Sequence, residues 1–465
     1  MITAKFGGTS VADAPAIERL AQIVGSRREV QVVVVSALAG VTDGLIACAS
    51  AAARGDRAAA LNTVAAVRER HVALADALGC RPETRAGLVS QLDRLQELLF
   101  ALATVGGLGA LDRVTPAQHD LIAATGELLS SWIVADALGR RQVPAAWIDA
   151  RRAIVTDGQH MRAVPLEPET AEQLRHVIGP EIAAGRVAVV GGFVGGTEEG
   201  ATTTLGRGGS DYSAAIIGAA LGADEIQIWT DVDGMLTADP RVVPDAQIVP
   251  HLSFAEAAEL AYFGAKVLHP STLLPAIRRD IPVRILNSHR PENPGTLITA
   301  RAPASARPLR AIACKRDVTV IDITSTRMLM AHGFLRRVFE VFDAHRTAVD
   351  VVTTSEVSVS VTIDDAESLD AIAADLAAIA DVTCERGLGL VCAVGENLRT
   401  DTTLCARVLG ATGGLPLRMV SQAGSRQNIT FVVPQADLGV AMQRLHRRFF
   451  EAADGAGADA KDPAA

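Results

Sequence analysis

The chain has 465 residues, of which 49% are hydrophobic and 3% aromatic, and its formal net charge is −9. This length and apolar content suffice for two or three hydrophobic cores. Negative charge and scarce aromatic residues argue against a nucleic acid partner. The six cysteines show no metal-site spacing, and we see neither a signal peptide nor an apolar run as long as a membrane span. We therefore expect a cytoplasmic protein with reduced thiols and no membrane partner.

The first predicted element is a short strand that leads into the heptad KFGGTSV, which begins at Lys5. An amphipathic helix is expected to follow at residues 15–28. A lysine at a strand end beside two glycines can meet an anion, because glycine amides approach a ligand closely. Taken alone, the heptad is equally typical of a loose turn with a solvated lysine.

Apolar runs at 30–36, 187–191, 225–230 and 283–286 are separated by helical stretches, the longest at 62–111 and 117–138. This alternation predicts an α/β fold with buried parallel strands.

The most informative stretch is LGRGGSDYSA at residues 205–214. Its three glycines allow close backbone approach to an anion where a helix is expected to begin after Ser210. Arg207 can bind a carboxylate or phosphate with two hydrogen bonds, and Asp211 can orient a lysine or a metal ion. Neither glycine motif is a Walker A loop or a dinucleotide fingerprint, so a phosphate site of another type is predicted.

Residues 291–310, rich in proline, alanine and arginine, are predicted to form a domain boundary. Beyond it, strands and helices follow the β-α-β-β-α-β order of a ferredoxin-like unit, and a second round follows from about residue 390. Strands are expected at 318–325, 349–363, 382–385, 390–395, 417–422 and 428–434, and helices at 333–344, 366–380, 402–409 and 435–448. The predicted domains are 1–300, 311–390 and 391–450, the last two interlocked, with a disordered tail at 451–465.

Five motifs in the same order resemble those of the aspartate kinases: KFGGTSV from Lys5, TTTLGRGGSDYSA from Thr202, WTDVDG from Trp229, TADPR from Thr237 and FGAKVLHP from Phe263. The C-terminal part resembles the monofunctional, lysine-sensitive branch. The resemblance implies the amino-acid kinase fold, a mainly parallel sheet sandwiched by helices, followed by two ferredoxin-like ACT domains. It also implies transfer of the ATP γ-phosphate to the β-carboxylate of L-aspartate, the first step of lysine, threonine and methionine biosynthesis.

The β-carboxylate of aspartate is already ionised at neutral pH, so this reaction needs alignment and charge neutralisation rather than a general base. Lys5 is the candidate for stabilising the transferring phosphoryl group, with the amides of Gly7, Gly8 and the 208–209 turn as neutral donors. The resemblance makes Asp211 the catalytic aspartate that holds Lys5 in position.

For the amino-acid substrate, the resemblance assigns Arg207 to the α-carboxylate and Glu127 to the ammonium group. Spacing alone would make Glu127 an exposed helical carboxylate. The remaining predicted substrate contacts are Thr42, Gly208, Gly209 and Ser210.

The resemblance also supplies a nucleotide site for ATP. Leu236 departs from the family, because related enzymes often have a tyrosine there for the purine-side contact. Mg²⁺ is expected as the usual carrier of ATP, but no dense carboxylate cluster is evident, so no metal ligand is assigned. The predicted nucleotide contacts are Lys5, Phe6, Gly7, Gly8, Thr230, Asp231, Leu236, Arg241, Lys266 and Val267.

Two turns of the first ferredoxin-like unit, around 328–335 and 348–358, are predicted to bind a regulatory amino acid. Asp350 and Glu356 could bind ammonium groups, and amides around Gly333 could bind a carboxylate; the alternative is a pair of solvated acids. Lysine is favoured because it has two ammonium groups, while threonine, or lysine with threonine, stays open. ACT pairs imply a homodimer or homotetramer. The predicted effector residues are Met328, Gly333, Phe334, Val349, Asp350, Thr354, Ser355 and Glu356.

Two other functions remain open at this point. One is a kinase of the same fold that acts on acetylglutamate, glutamate or uridylate; the pairing of Glu127 with Arg207 and the two ACT-like units argue against it. The other is a noncatalytic amino-acid sensor, against which the presence of Lys5, Asp211 and Lys266 argues.

Overall fold

The computed structural model describes residues 1–108, 114–264, 268, 270–305, 307–325, 332–422 and 426–451. Its contacts define two units, an N-terminal unit of Met1–Met235 with Val267–Ala302 and a C-terminal unit of Leu236–Lys266 with Pro303–Ala465. The contacts thus place residues 236–266 outside the N-terminal unit, and the sequence-based domain boundaries stay predictions. The predicted tail, apart from Glu451, lies outside the described residues.

A largely parallel sheet organises the N-terminal unit. Its strands are β1 (Ile2–Phe6), β2 (Val30–Val35), β3 (Ala145–Ile148), β4 (Val187–Gly191), β7 (Glu225–Thr230), β9 (Val283–Asn287) and β10 (Thr296–Thr299), while β5 (Val194–Gly196) and β6 (Thr202–Thr204) form a separate hairpin. The order across the sheet is β3-β4-β2-β1-β7-β9-β10. All neighbours are parallel except β9 and β10. Continuous apolar strands such as VQVVVV in β2 suit this arrangement, because helices cover both faces of a buried parallel sheet.

Ten helices numbered along the chain surround this sheet among the described residues: α1 (Ala14–Ser26), α2 (Val41–Ala53), α3 (Arg57–Ala77), α4 (Pro82–Gly107), α5 (Pro116–Ala123), α6 (Thr125–Arg140), α7 (Glu167–Val177), α8 (Gly179–Ala183), α9 (Gly209–Leu221) and α11 (Leu274–Arg278). The single helix predicted at 117–138 is therefore two, with the break at Ala124. A capping box of Thr115 and Gln118 fixes the start of α5.

Helices α5 and α6 together form the one described stretch, Pro116–Arg140, that is long and apolar enough to cross a membrane. This differs from the expectation that no such stretch exists. Its most apolar window is 89% buried inside the protein, so it packs as a core helix pair.

The C-terminal unit begins with β8 (His251–Ser253) and α10 (Phe254–Tyr262) and contains a six-stranded antiparallel sheet. The strands of this sheet are β11 (Ala311–Thr324), β12 (Val352–Thr354), β13 (Ser358–Ile363), β14 (Asp381–Val394), β15 (Met419–Ser421) and β16 (Asn428–Pro434), in the order β12-β13-β11-β14-β16-β15. Its helices are α12 (Phe334–Ala344), α13 (Leu369–Ala377), α14 (Leu404–Gly410) and α15 (Leu438–His446). Strands β11 and β14 pair from Ala311 with Val394 to Thr324 with Asp381, so the two ferredoxin-like repeats share them.

One sequence-based division of a strand is wrong. The strands predicted at 382–385 and 390–395 are one strand, β14, because the exposed polar stretch around Arg386 and Gly387 interrupts the apolar pattern without ending the pairing. The stretch at 291–310, predicted as a domain boundary, contains β10, which pairs with β9.

Candidate active site

Lys5 lies near the end of the central strand β1, between Val34 of β2 and Ile228 of β7. Its Nζ atom is 2.7 Å from Oδ1 of Asp211, and only 11% and 12% of the two side chains are exposed. The contact is an ion pair. Asp211 lies in the first turn of α9, where the helix dipole favours a carboxylate. The fold therefore places a shielded cation near the carboxyl end of the central strand.

The glycine-rich turn before α9 has the backbone that its sequence predicts. Gly206 and Gly208 have φ of 77° and 71°, in the left-handed region, and Gly208 caps the helix. The N–H of Gly209 donates to Gly206 O at 3.0 Å, so that amide is not available to a ligand. Arg207 is exposed and forms no ion pair with another described residue, so its guanidinium can bind an anion.

Lys5, Asp211 and every residue that the sequence assigned to aspartate binding line one cavity of about 580 Å³ in the N-terminal unit. This volume is within the usual range of small-molecule sites. The cavity also exposes residues that sequence reasoning missed, among them Asp43, His119, Met161 and Phe193. No sequence pattern marked these four as part of a site. The predicted residues in the lining are Lys5, Gly8, Thr42, Glu127, Arg207, Gly208, Gly209, Ser210 and Asp211.

Glu127 is a buried carboxylate in the first turn of α6, with 4% of its surface exposed. A side chain at the neighbouring Gly126 would meet Ala37 Cβ at 2.7 Å, so glycine lets α6 approach the turn after β2. Burial raises the pKa of Glu127 to about 8, against backbone hydrogen bonds and the Lys5 charge, which lower it. Its Oε2 atom has no hydrogen-bond partner among the described residues. Such an oxygen suits a ligand ammonium group.

Phe6, one of the predicted nucleotide contacts, belongs to the hydrophobic core. Phe6 is fully buried and stacks on Trp229 at 5.7 Å between ring centroids. The expectation that the Gly7 amide serves a phosphate needs correction, because this N–H donates to Trp229 O at 3.0 Å. Thr230 ends β7, and its hydroxyl donates to the exposed Asp231 at 3.2 Å.

Two further nucleotide candidates lie in the C-terminal unit. Leu236 forms an isolated bridge with Ile248. The exposed Arg241 side chain donates two hydrogen bonds to Asp239, at 3.0 and 2.8 Å, and this lowers the pKa of the Asp239 carboxyl. Lys266 and Val267 lie outside the described residues.

At the predicted effector site, Asp350 already has a cationic partner that sequence reasoning missed. Lys315 Nζ lies 2.6 Å from Asp350 Oδ1 and 2.8 Å from Asp364 Oδ2. It also lies 4.7 Å from the ring centroid of Tyr262, whose hydroxyl donates to Val349 O at 3.3 Å. Burial raises the pKa of Asp350, and Lys315 opposes that rise. Only Oδ2 of Asp350 is left without a described partner.

The other effector candidates differ in exposure. Gly333, with φ of 78°, caps α12, whereas Phe334 is buried in the core below that helix. Thr354, Ser355 and Glu356 are exposed at the turn between β12 and β13. Met328 lies outside the described residues.

Among the residues that the structure describes, no group of three or more histidine, cysteine, aspartate or glutamate side chains is placed to hold a metal ion.

Comparison of the sequence with known proteins identifies related families. The Amino acid kinase family matches residues 1–287, and an ACT domain family matches residues 391–449. Lysine-sensitive aspartokinase 3 of Escherichia coli is 39% identical over 460 residues, which cover 97% of this chain and 99% of the relative. The chloroplastic aspartokinase 1 of Arabidopsis thaliana is 36% identical over 466 residues, covering 97% of this chain and 80% of the relative.

Solved structures agree with the sequence relatives. The crystal structure of E. coli aspartokinase III in complex with aspartate and ADP has a TM-score of 0.83 at 37% identity, covering 97% of this chain and all of that chain. The same protein in complex with lysine and aspartate has a TM-score of 0.81 at 38% identity, covering 97% of this chain and 99% of that chain.

Proposed function

The chain belongs to the aspartokinases of the amino acid kinase family, and on this premise we propose that it phosphorylates the β-carboxylate of L-aspartate with ATP to give 4-phospho-L-aspartate. The observation that carries the proposal is that one cavity contains the Lys5–Asp211 ion pair, the buried Glu127 and Arg207, which forms no ion pair with another described residue. The product would enter lysine, threonine and methionine biosynthesis.

The charges in the cavity match those of aspartate and of a phosphoryl group. Arg207 would bind the α-carboxylate and Glu127 the ammonium group, which leaves the β-carboxylate near Lys5. Lys5 would neutralise charge on the transferring phosphoryl group while Asp211 keeps its ammonium in place. No side chain has to remove a proton, because the nucleophile is already ionised.

ATP is the proposed donor, since the E. coli relative was crystallised with ADP and aspartate. Mg²⁺ held by the nucleotide would neutralise phosphate charge when bound. The candidate nucleotide contacts remain Gly8, Thr230, Asp231, Leu236 and Arg241, together with Lys266 and Val267. A cytoplasmic location is part of the proposal, and the six free cysteines are consistent with it.

Lysine is the proposed effector, supported by the lysine-sensitive E. coli relative and by its structure with lysine and aspartate. Asp350 Oδ2 and the exposed Glu356 are the candidate oxygen ligands for its two ammonium groups. Threonine remains a second candidate. We propose a homodimer or homotetramer as the assembly, because paired ACT domains imply association.

Trapping of the acyl phosphate with hydroxylamine tests this function directly. Aspartate, glutamate and acetylglutamate are compared in parallel with ATP, each with and without lysine. We expect hydroxamate from aspartate alone, and less of it when lysine is present. Signal from another acid would change the substrate, whereas no signal from any acid would favour a noncatalytic sensor.

A further inference from the structure

Asp120 is a fully buried carboxylate on α5, beside the cavity but outside its lining. It accepts a hydrogen bond from His160 Nδ1 at 2.8 Å and from Thr204 Oγ1 at 2.5 Å. The N–H of Met161 donates to both of its oxygens at 3.0 Å. A buried charge is costly unless it is satisfied in this way, so these contacts are held firmly.

The groups that Asp120 holds form one wall of the cavity. Met161 and Thr204 both line it, and Thr204 ends β6, directly before the turn that carries Arg207. Gly206 packs against Met161, because a side chain there would meet Met161 O at 3.2 Å. The carboxylate thus connects α5, the loop at residues 157–164 and the arginine turn.

Met161 has an unusual backbone. Its φ is 69°, a left-handed value that is unfavourable for a long side chain, and the residue is 45% exposed. Such a conformation persists only where the surroundings impose it, and it often occurs at functional sites. Here the restraint is the pair of hydrogen bonds from the Met161 N–H to Asp120. The loop is closed by Asp157, whose Oδ1 accepts from Val164 N–H at 2.9 Å.

We propose that Asp120 is a positioning residue that fixes the aspartate-binding wall of the cavity, Met161 and the Arg207 turn, through its hydrogen bonds to Met161 and Thr204. This inference rests on the proposed aspartate kinase function. An asparagine at this position keeps the shape but turns an NH₂ group toward one of the donors, so the wall is expected to shift. A displacement of about 1 Å near reacting groups can lower activity about a hundredfold.

The test compares Asp120→Asn with Asp136→Asn. Asp136 is a matched control, because it is also a buried carboxylate, 3% exposed, and accepts hydrogen bonds from Arg81 N–H and Nε at 2.6 and 2.5 Å, away from the cavity lining. Thermal stability, KM for aspartate, KM for ATP and calorimetric binding of aspartate are measured for each. We expect Asp120→Asn to raise KM and Kd for aspartate about tenfold or more with KM for ATP nearly unchanged, whereas Asp136→Asn loses stability alone.

A second variant keeps the test decisive if Asp120→Asn does not fold. His160→Leu removes one donor and leaves the carboxylate, so a smaller rise in KM and Kd for aspartate is expected. Loss of stability with unchanged aspartate binding in the folded variants would overturn the proposal.

Wild-type protein that binds aspartate without phosphorylating it would refute the proposed function, yet the calorimetric comparison would still decide the role of Asp120. Wild-type protein that does not bind aspartate would overturn both.

Discussion

Glu127 combines full burial, an unpartnered oxygen and a pKa raised to about 8. In the free protein it is therefore mostly protonated at neutral pH, whereas a bound ammonium group favours the ionised form. If Glu127 binds the ammonium group as proposed, aspartate binding releases a proton below pH 8. The charge state of this one side chain would then couple substrate affinity to pH.

We predict that KM for aspartate rises as the pH falls below 8, approaching about tenfold per pH unit, because each binding event then releases one proton. Glu127→Gln should bind aspartate more weakly and with a flat pH profile. The measurement is KM for aspartate over about pH 6 to 9, with KM for ATP as the internal control. A wild-type profile without this slope would remove Glu127 from ammonium binding.

The same variant tests whether the raised pKa reflects burial. A carboxyl group with a folded-state pKa above its unfolded value of 4.5 stabilises the fold fully only below the unfolded pKa, and that contribution is lost as the pH rises through about 8. Glu127→Gln should therefore gain thermal stability relative to wild type on going from acidic to alkaline pH. If the difference in Tm between Glu127→Gln and wild type were the same at acidic and alkaline pH, burial would not be the cause of the raised pKa.

The Lys5–Asp211 pair supports a third prediction for single residues. Asp211→Asn should lower kcat at least about a hundredfold, because Lys5 loses the partner that orients it toward the phosphoryl group. Asp93→Asn is the control, since Asp93 forms a more exposed ion pair with Arg68 away from the cavity and should leave kcat unchanged. Near-normal turnover in Asp211→Asn would exclude Asp211 from the mechanism.

The grouping of residues in one cavity was predictable from sequence where a motif carried them, whereas their roles stay predictions. The Lys5 heptad and the Arg207 turn combine glycines with charges, and the cavity contains both. Asp120 and Lys315 were missed because local sequence does not reveal the distant partners of a charged side chain, such as Thr204 for Asp120 and Asp350 for Lys315. The burial of Glu127 was likewise invisible, since helical spacing alone suggests an exposed carboxylate.

At the scale of elements, the turn before α9 depends on close packing against the segment after β4. A Cβ atom on Gly209 would meet Phe193 Cδ2 at 2.6 Å and Cα at 3.0 Å, so the backbone would have to move.

We predict that Gly209→Ala destabilises the fold by about 1–3 kcal/mol and raises KM for aspartate, since Arg207 lies in the displaced turn. Gly139→Ala is the matched control, because that glycine lies in α6 with open space around it; there alanine should stabilise by up to about 1 kcal/mol. Chemical denaturation and steady-state kinetics measure both effects. An unchanged KM in Gly209→Ala would show that the turn tolerates the shift.

The contact between β11 and the segment before β12 bears on how tightly the candidate effector site can bind lysine. Lys315 of β11 occupies one oxygen of Asp350. If lysine is the effector, its ammonium group must compete with Lys315 or share Asp350 with it.

We predict that Lys315→Met lowers the lysine concentration needed for half-inhibition by about tenfold, because an unpaired buried carboxylate favours a new cation. Lys315→Arg keeps the positive charge, so the half-inhibitory lysine concentration should change little. Inhibition curves at fixed aspartate give the comparison. A higher half-inhibitory concentration in Lys315→Met would mean that Lys315 supports the effector site instead of competing for it.

Strands with continuous apolar sequence were predicted to within a residue or two, as for β4 and β7, because buried parallel strands leave a clear pattern. Breaks were harder to predict. The division of 117–138 at Ala124 occurs inside an apolar run, and the continuity of β14 depends on pairing with β11 over its whole length. The continuity of β14 thus arises from long-range pairing, which local sequence does not encode.

On the scale of the whole molecule, the candidate substrate residues and the candidate effector residues lie in different units of the chain. Any inhibition by lysine then requires that the two sites share a conformational equilibrium. The free energy of coupling between the two sites is a thermodynamic property, so it can be measured without knowing which residues transmit it.

We predict reciprocal coupling between lysine and aspartate: if saturating lysine weakens aspartate binding by some factor, saturating aspartate must weaken lysine binding by the same factor. Calorimetry of lysine binding with and without aspartate measures it, with Arg207→Ala as the control. That variant should bind lysine normally but show no effect of added aspartate, because it binds the substrate poorly. If lysine lowers kcat while neither ligand changes the affinity of the other, inhibition acts on the chemical step, and the predicted reciprocal coupling of the two affinities is wrong.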